Sequence, residues 1–192
     1  PREPGLSVPP MGLAYIAASL ESAGHRVRII DAYAERWSWP QTQQAIETMR
    51  PDVLGLSAMT PTADVAARAI REARPYAQYV VMGGPHPTAI GETIFEQIPE
   101  LDAAVIGEGE DSVIELLQWW MSGSKGQPPE GVRVPGYAYK ARAQAPDIHR
   151  IPMPARHLLP SSSYRYLFAT RPGFTTLISS RGCPFRCSFC DK

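Results

Sequence analysis

Cysteine is nearly absent from this chain. Its 192 residues hold three, and none lies before residue 183. That odd count, with no thiol upstream to pair with, argues against a disulfide scaffold. Net charge is missing too, because 19 Lys and Arg balance 19 Asp and Glu. A nucleic-acid groove or an anionic membrane surface would draw on a basic excess, so neither is expected as a partner. No apolar run approaches the roughly 18 residues of a spanning helix, so no transmembrane segment is expected. Apolar residues still make up 44% of the chain, enough for a core. The length suits one domain plus part of another. The expected location is the cytoplasm, where thiols stay reduced. Proline is frequent, at 20, and many of these residues fall near the start or between residues 128 and 172, where they mark linkers.

The cysteines that are present stand together. Cys183, Cys187 and Cys190 follow a CxxxCxxC spacing. Three clustered thiolates can hold three corners of a cubane iron–sulfur cluster and leave one iron open for a small molecule. Structural zinc usually takes four ligands, commonly from two CxxC-type pairs. Here there is one cluster of thiols, and the nearest histidine upstream is His157. A ferredoxin-type electron carrier also needs a fourth ligand. Gly182 and Pro184 shape the loop, and aromatic Phe189 stands just before the third cysteine.

The body of the chain alternates strand and helix signals. Short apolar runs at 27–30, 53–56, 79–82 and 103–106 read as strands buried on both faces. Helical spacing recurs over 13–20, 41–49, 63–73 and 111–121, with a weaker signal over 89–97. Trp119 and Trp120 read as core or domain-interface groups. Residues 132–141, with Pro135-Gly136 inside, read as a small β-hairpin extending the sheet edge. Residues 174–179 read as a strand leading into the cysteine loop.

Alternating β and α units predict an α/β fold with a Rossmann-like parallel sheet. All strand C-termini then lie at one edge, where ligands of such sheets bind. That places Asp31, residues 57–60, 83–86 and 107–110 around a common crevice. Small and polar residues dominate these turns, which suits close approach of a large ligand and equally suits ordinary turns. His86 reads as lining the crevice or capping the next helix. Asp31 reads as a ligand contact or a loop cap. Glu108 and Glu110 form a carboxylate pair to which no acid–base role is assigned.

These residues carry a family resemblance. Pro9, Pro10, Met11, Gly12 and Leu13, then Gly24-His25-Arg26-Val27 and Asp31, resemble the cobalamin-binding domain that precedes many radical S-adenosylmethionine (SAM) barrels. So do Ser57-Ala58-Met59-Thr60, the run from Val81 through Gly83-Gly84-Pro85-His86 to Thr88, and Gly107-Glu108-Gly109-Glu110. The cysteine loop, from Arg181 to Cys190, resembles the cluster loop of the radical SAM superfamily. Nearly the whole chain is covered, from about residue 5 onward.

The resemblance implies a flavodoxin-like fold over 1–141, a linker over 142–172, and the start of a radical SAM barrel over 173–192, with 174–179 as its first strand. It implies cobalamin held by Pro10, Met11, Gly12, Asp31, Ser57, Met59, Thr60, Gly83, Gly84, His86, Gly107, Glu108 and Gly109. Ser57 and the paired glycines would lie beside the corrinoid's nucleotide tail. Cys183, Cys187 and Cys190 would ligate a [4Fe–4S] cluster with SAM on its open iron, and Phe189 would lie near the adenine. For an intact enzyme this implies cleavage of SAM to a 5′-deoxyadenosyl radical, then methyl transfer or oxidative ring closure on a small-molecule substrate. Enzymes of the anaerobic magnesium-protoporphyrin monomethyl ester cyclase type share this domain order. A flavodoxin or ferredoxin would be the electron donor.

One departure concerns the cobalt. Family members with DxHxxG before the first helix place its histidine on the metal. Here Ser7 stands in the Asp place and Pro9 in the His place. Cobalamin is therefore expected base-off, with no histidine from this loop. The chain stops two residues after Cys190, and residues 1–8 make a poor strand, so the sequence reads as an internal piece of a longer enzyme. The competing readings are a corrinoid-binding or degenerate Rossmann-like module without catalysis, a methylthiotransferase, and a flavodoxin-like carrier. The second usually has extra upstream cysteines, absent here. The third needs a phosphate loop, and the prolines within 7–12 lack N–H donors.

Overall fold

The computed structural model describes residues 7–143, 146–166, 174–185 and 187–188. Helix α1 spans Met11–Ser22, with Pro10 at its N-cap. Helix α2 spans Trp39–Met49. Its start carries a capping box, in which the Ser38 N–H donates to Gln41 Oε1 at 2.8 Å. Strand β1, Val53–Ser57, leads to helix α3, Ala63–Ala73. Strand β2, Tyr79–Gly83, is followed by two short helices, α4 at Pro85–Ile90 and α5 at Ile94–Gln97. Strand β3, Ala103–Val105, helix α6, Glu110–Met121, and strand β4, Val132–Arg133, complete the sheet-forming part.

The sheet order is β1-β2-β3-β4. The first three strands run parallel, and β4 runs antiparallel to β3. The period-two alternation of β2 divides the core. Val80 and Met82 face α3 and α5, where Ala66, Ala67, Ile70, Ile94 and Ile98 close over them. Val81 faces Val113, Leu116 and Leu117 of α6, with Ile16 and Leu20 of α1 beside them. Each fully buried Ile, Leu or Met in these layers contributes roughly 1.5–3 kcal/mol. The spacing of Ala66, Ala67, Ile70 and Ala73 makes the buried stripe of α3. Trp119 and Trp120 are both buried, and Trp120 stacks on Tyr79 at 4.2 Å between centroids.

Helix α1 is covered from outside as well. Its small residues Ala17 and Ala18 pack against Ala155, while Ala14 belongs to a cluster with Leu159 and Tyr164. Tyr164 is 1% exposed and donates its hydroxyl to Asp31 Oδ2 at 3.1 Å. Burial, reinforced by the Asp31 carboxylate, holds that phenol protonated well above its usual range. Asp31 Oδ1 accepts from the Ala34 N–H at 3.0 Å. Asp31 is therefore a turn cap and an anchor for the 154–166 segment. Tyr164→Phe should lower the unfolding free energy by about 0.5–1.5 kcal/mol, the net worth of a typical hydrogen bond. Urea unfolding of the two proteins checks this, and equal midpoints would show that the bond contributes nothing.

Four expected elements differ. Residues 27–30 have the alternating half-burial of a strand but pair with no strand among the described residues. Val27 and Ile29 instead pack on the α1 cluster. Residues 174–179 likewise form no ladder, so no first barrel strand is seen there. The 89–97 helix is interrupted at Gly91, whose φ of 63° ends α4. The 132–141 hairpin is reduced to β4, a turn bond from the Tyr137 N–H to the Val134 carbonyl at 3.2 Å, and a bond from the Gly131 N–H to the Lys140 carbonyl at 2.8 Å. Proline at 135 lacks the donor that a longer ladder would use.

Candidate functional site

The loops after β1, β2 and β3 are tied to one another. The Ala58 N–H donates to the Gly83 carbonyl at 3.0 Å, and the His86 N–H donates to the Ala58 carbonyl at 3.0 Å. Thr88 Oγ1 donates to the Gly84 carbonyl at 2.9 Å and accepts from the Gly107 N–H at 3.0 Å. A single hydroxyl thus links the second loop to the third. Gly84 has φ +99°, and a Cβ there would lie 2.9 Å from both the Ala58 carbonyl oxygen and Ser57 Oγ. Its lack of a side chain serves the close approach of two loops of this chain. At Gly83 a Cβ would make only ordinary contact with Val105.

This edge is open on one side. Ser57, Met59, Thr60, Gly107 and Glu108 are exposed. Met59 is 58% exposed, an apolar side chain left uncovered beside polar groups. His86 is only 5% exposed. Its Nδ1 lies 3.3 Å from Thr60 Oγ1, and its Nε2 is buried without a partner. A buried nitrogen lacking a hydrogen bond is costly unless a partner reaches it.

The third loop meets the 174–185 segment at Arg181. Gly109 presses on α1, where a Cβ would fall 2.8 Å from Ile16 Cδ1. Glu108 and Glu110 on either side both face Arg181. Arg181 Nη1 lies 2.6 Å from Glu108 Oε2, and Nη2 lies 2.6 Å from Glu110 Oε1. Hydrogen bonding to Glu110 outweighs burial and raises the guanidinium further above its ordinary pKa. Beyond it, Cys183 and Cys187 are exposed. Cys190 and Phe189 lie outside the described residues. Among the described residues no group of three or more His, Cys, Asp or Glu side chains gathers as a metal site.

Residues 2–117 match the B12-binding domain. The chain belongs to that family. It is 35% identical to an uncharacterized methyltransferase of Pyrococcus horikoshii, over 98% of this chain and 41% of that protein. It is 30% identical to the anaerobic magnesium-protoporphyrin IX monomethyl ester cyclase of Rubrivivax gelatinosus, over 96% of this chain and 35% of that one. The chain thus spans about two-fifths or less of the length of these relatives. In fold it is similar to the radical S-adenosylmethionine methyltransferase TsrM from Kitasatospora setae, solved with cobalamin and a [4Fe–4S] cluster bound. That match has a TM-score of 0.62 and 16% identity, and covers 87% of this chain and 34% of TsrM.

Within this B12-binding domain the structure gathers most of the expected edge residues and leaves others apart. Ser57, Met59, Thr60, Gly83, Gly84, His86, Gly107, Glu108 and Gly109 share the sheet's C-terminal edge. Pro10, Met11 and Gly12 begin α1, with Met11 buried and its Sδ 3.5 Å from Arg156 Nη1. Asp31 has both carboxylate oxygens engaged within the fold. Ser7 forms a backbone bridge with Arg165, each N–H 3.0 Å from the other's carbonyl oxygen. Thr88, Tyr15 and Arg181 were not among the expected site residues. The sequence signal for Arg181 is a cation beside the cysteines in a chain with two glutamates in a glycine-rich loop.

No described helix is long and apolar enough to cross a membrane.

Proposed function

We propose that this chain is the cobalamin-binding part and the cluster loop of a radical SAM enzyme that catalyses methyl transfer or oxidative cyclisation. The observation that carries the reading is the coexistence of a B12-binding domain over 2–117 and a CxxxCxxC run in one chain. We divide it into the domain at 1–141, a linker at 142–172 and the start of the catalytic domain at 173–192.

The donor chemistry suits both cofactors. Ser57 and Thr60 are exposed hydroxyls and Met59 an exposed apolar surface at the edge where α/β sheets take ligands. His86 Nε2 is the buried donor or acceptor we assign to a polar atom of the corrinoid. Ser7 and Pro9 would offer a bound corrinoid no imidazole, and a nucleotide tail lodged beside Ser57 would leave it base-off. Cys183, Cys187 and Cys190 supply three thiolates for a [4Fe–4S] cluster, with the fourth iron left to SAM. When bound, cobalamin would supply methyl transfer or radical ring closure, and the cluster the electron that cleaves SAM. Gly107 and the first turn of α1 at Pro10, Met11 and Gly12 would border the corrinoid, and Phe189 the adenine. A small-molecule substrate, a flavodoxin or ferredoxin donor and the cytoplasm complete the proposal.

Anaerobic incubation with hydroxocobalamin tests the corrinoid half. Gel filtration should return the chain with bound corrinoid showing a base-off absorption spectrum. Elution free of corrinoid at micromolar concentrations would overturn it.

A further inference from the structure

Arg181 stands two residues before Cys183, yet its guanidinium is engaged by the B12-binding domain. Besides its contacts with Glu108 and Glu110, it lies over the Tyr15 ring, 4.8 Å from the centroid. The receptor is built. Glu110 is 4% exposed, Gly109 is pressed against Ile16, and the Gly107 N–H is held by Thr88. Glu110 and Asp111 also open α6, where their charge suits the helix dipole. A guanidinium presents several N–H donors in a rigid plane, so two nitrogens on two carboxylates fix direction as well as distance. A lysine, a single point charge on a flexible stem, fixes much less.

A second fastening lies a few residues earlier. Arg156 Nη2 donates to the Thr176 carbonyl at 2.6 Å, and Nη1 reaches both Thr175 Oγ1 and Met11 Sδ. The 174–181 segment is therefore held near the start of α1 and again at the 107–110 loop. The sequence interval from 181 to 183 leaves the first cysteine little freedom from the second anchor.

We propose that Arg181 is a positioning residue which, with Glu108 and Glu110, sets the cysteine loop in one place on the ligand edge of the B12-binding domain. Glu108 and Glu110 then serve an internal cation, and not proton transfer. The proposal goes beyond the cofactor reading, since it concerns side chains of this chain alone. Taking the Arg181–Glu110 charges out of water offsets much of their attraction, so the role assigned to the pair is selecting one arrangement and not adding stability.

Pulsed EPR distances test it on the whole chain. In a Cys183→Ala, Cys190→Ala background, one spin label goes on Cys187 and the other on Val65→Cys, which is exposed on α3. The parent should give a narrow distance distribution. Arg181→Met should broaden it at least about twofold, and Arg181→Lys should recover only part of the parent's width. Equal widths in the parent and Arg181→Met would overturn the proposal. If Arg181→Met loses its circular dichroism, Glu108→Gln, which leaves the buried Glu110 pair in place, is measured instead. It should broaden the distribution, and an unchanged width there would also overturn the proposal. Hydroxocobalamin uptake is followed on the same samples. Its loss from the parent counts against the corrinoid reading and leaves the label widths to judge the clamp.

Discussion

Gly84→Ala is expected to lower the unfolding free energy by about 2–6 kcal/mol, among the largest effects of any single methyl group in this chain. Two causes add. A side chain at φ +99° and ψ −174° would occupy backbone space open essentially to glycine alone, at a cost of roughly 1–3 kcal/mol. The new methyl would also sit 2.9 Å from the Ala58 carbonyl and Ser57 Oγ. The Ala58 backbone does not yield freely, because its carbonyl accepts from the His86 N–H and its N–H donates to the Gly83 carbonyl. Forcing such a contact costs roughly 1–3 kcal/mol more. With a urea m-value of about 1–3 kcal/mol/M, the midpoint should fall by roughly 1 M or more. Gly12→Ala is the control. It lies in α1, and a Cβ there meets nothing within 4 Å. It should leave stability unchanged or raise it by up to about 1 kcal/mol. A Gly84→Ala protein as stable as its parent would sink the packing account and return Gly84 to service of the ligand alone.

That distinction was not open to sequence reading, which placed the paired glycines beside a ligand. The motif says that a side chain is unwelcome, but not which neighbour excludes it. The parallel sheet was legible because β1 to β3 are short apolar runs ending in small residues, and their crossovers carry helical spacing. Residues 27–30 misled for a related reason. Val27 and Ile29 alternate as a strand should, and their burial does alternate, but a strand also needs a hydrogen-bonded neighbour. No local pattern records whether one is there. The same holds for 174–179. The break at Gly91 was visible in principle, since glycine tolerates the φ that stops a helix. The Arg181 contacts span more than 70 residues of sequence, and periodicity is blind to pairing at that range. Chemistry gave the only hint, through charges of opposite sign in two loops that the fold brings to one edge.

Cys187→Ser should abolish the iron–sulfur cluster while leaving the fold untouched, and the two halves of that result must be read together. Anaerobic reconstitution with iron and sulfide is the measurement, with EPR of the reduced protein. Loss of even an outer-shell partner typically weakens metal affinity roughly 10–100-fold, so loss of one of three thiolates should weaken cluster binding by more than that and leave little iron bound after desalting. Cys187 is exposed, and surface substitutions usually shift stability by no more than about 0.5 kcal/mol. Its urea midpoint should therefore match the parent's, which separates a missing ligand from a damaged fold. Hydroxocobalamin uptake should survive as well, because Ser57, Thr60 and His86 are at the sheet edge and carry no sulfur ligand. Parent protein that takes up zinc in tetrahedral form and no cubane iron would defeat the three-thiolate reading even if corrinoid uptake succeeds. The reverse outcome, a cluster without corrinoid, would leave a radical SAM loop joined to a B12-binding domain that does not bind its ligand. Uptake of both in the parent, with only the cluster lost from Cys187→Ser, is the pattern that two independent sites on one chain require.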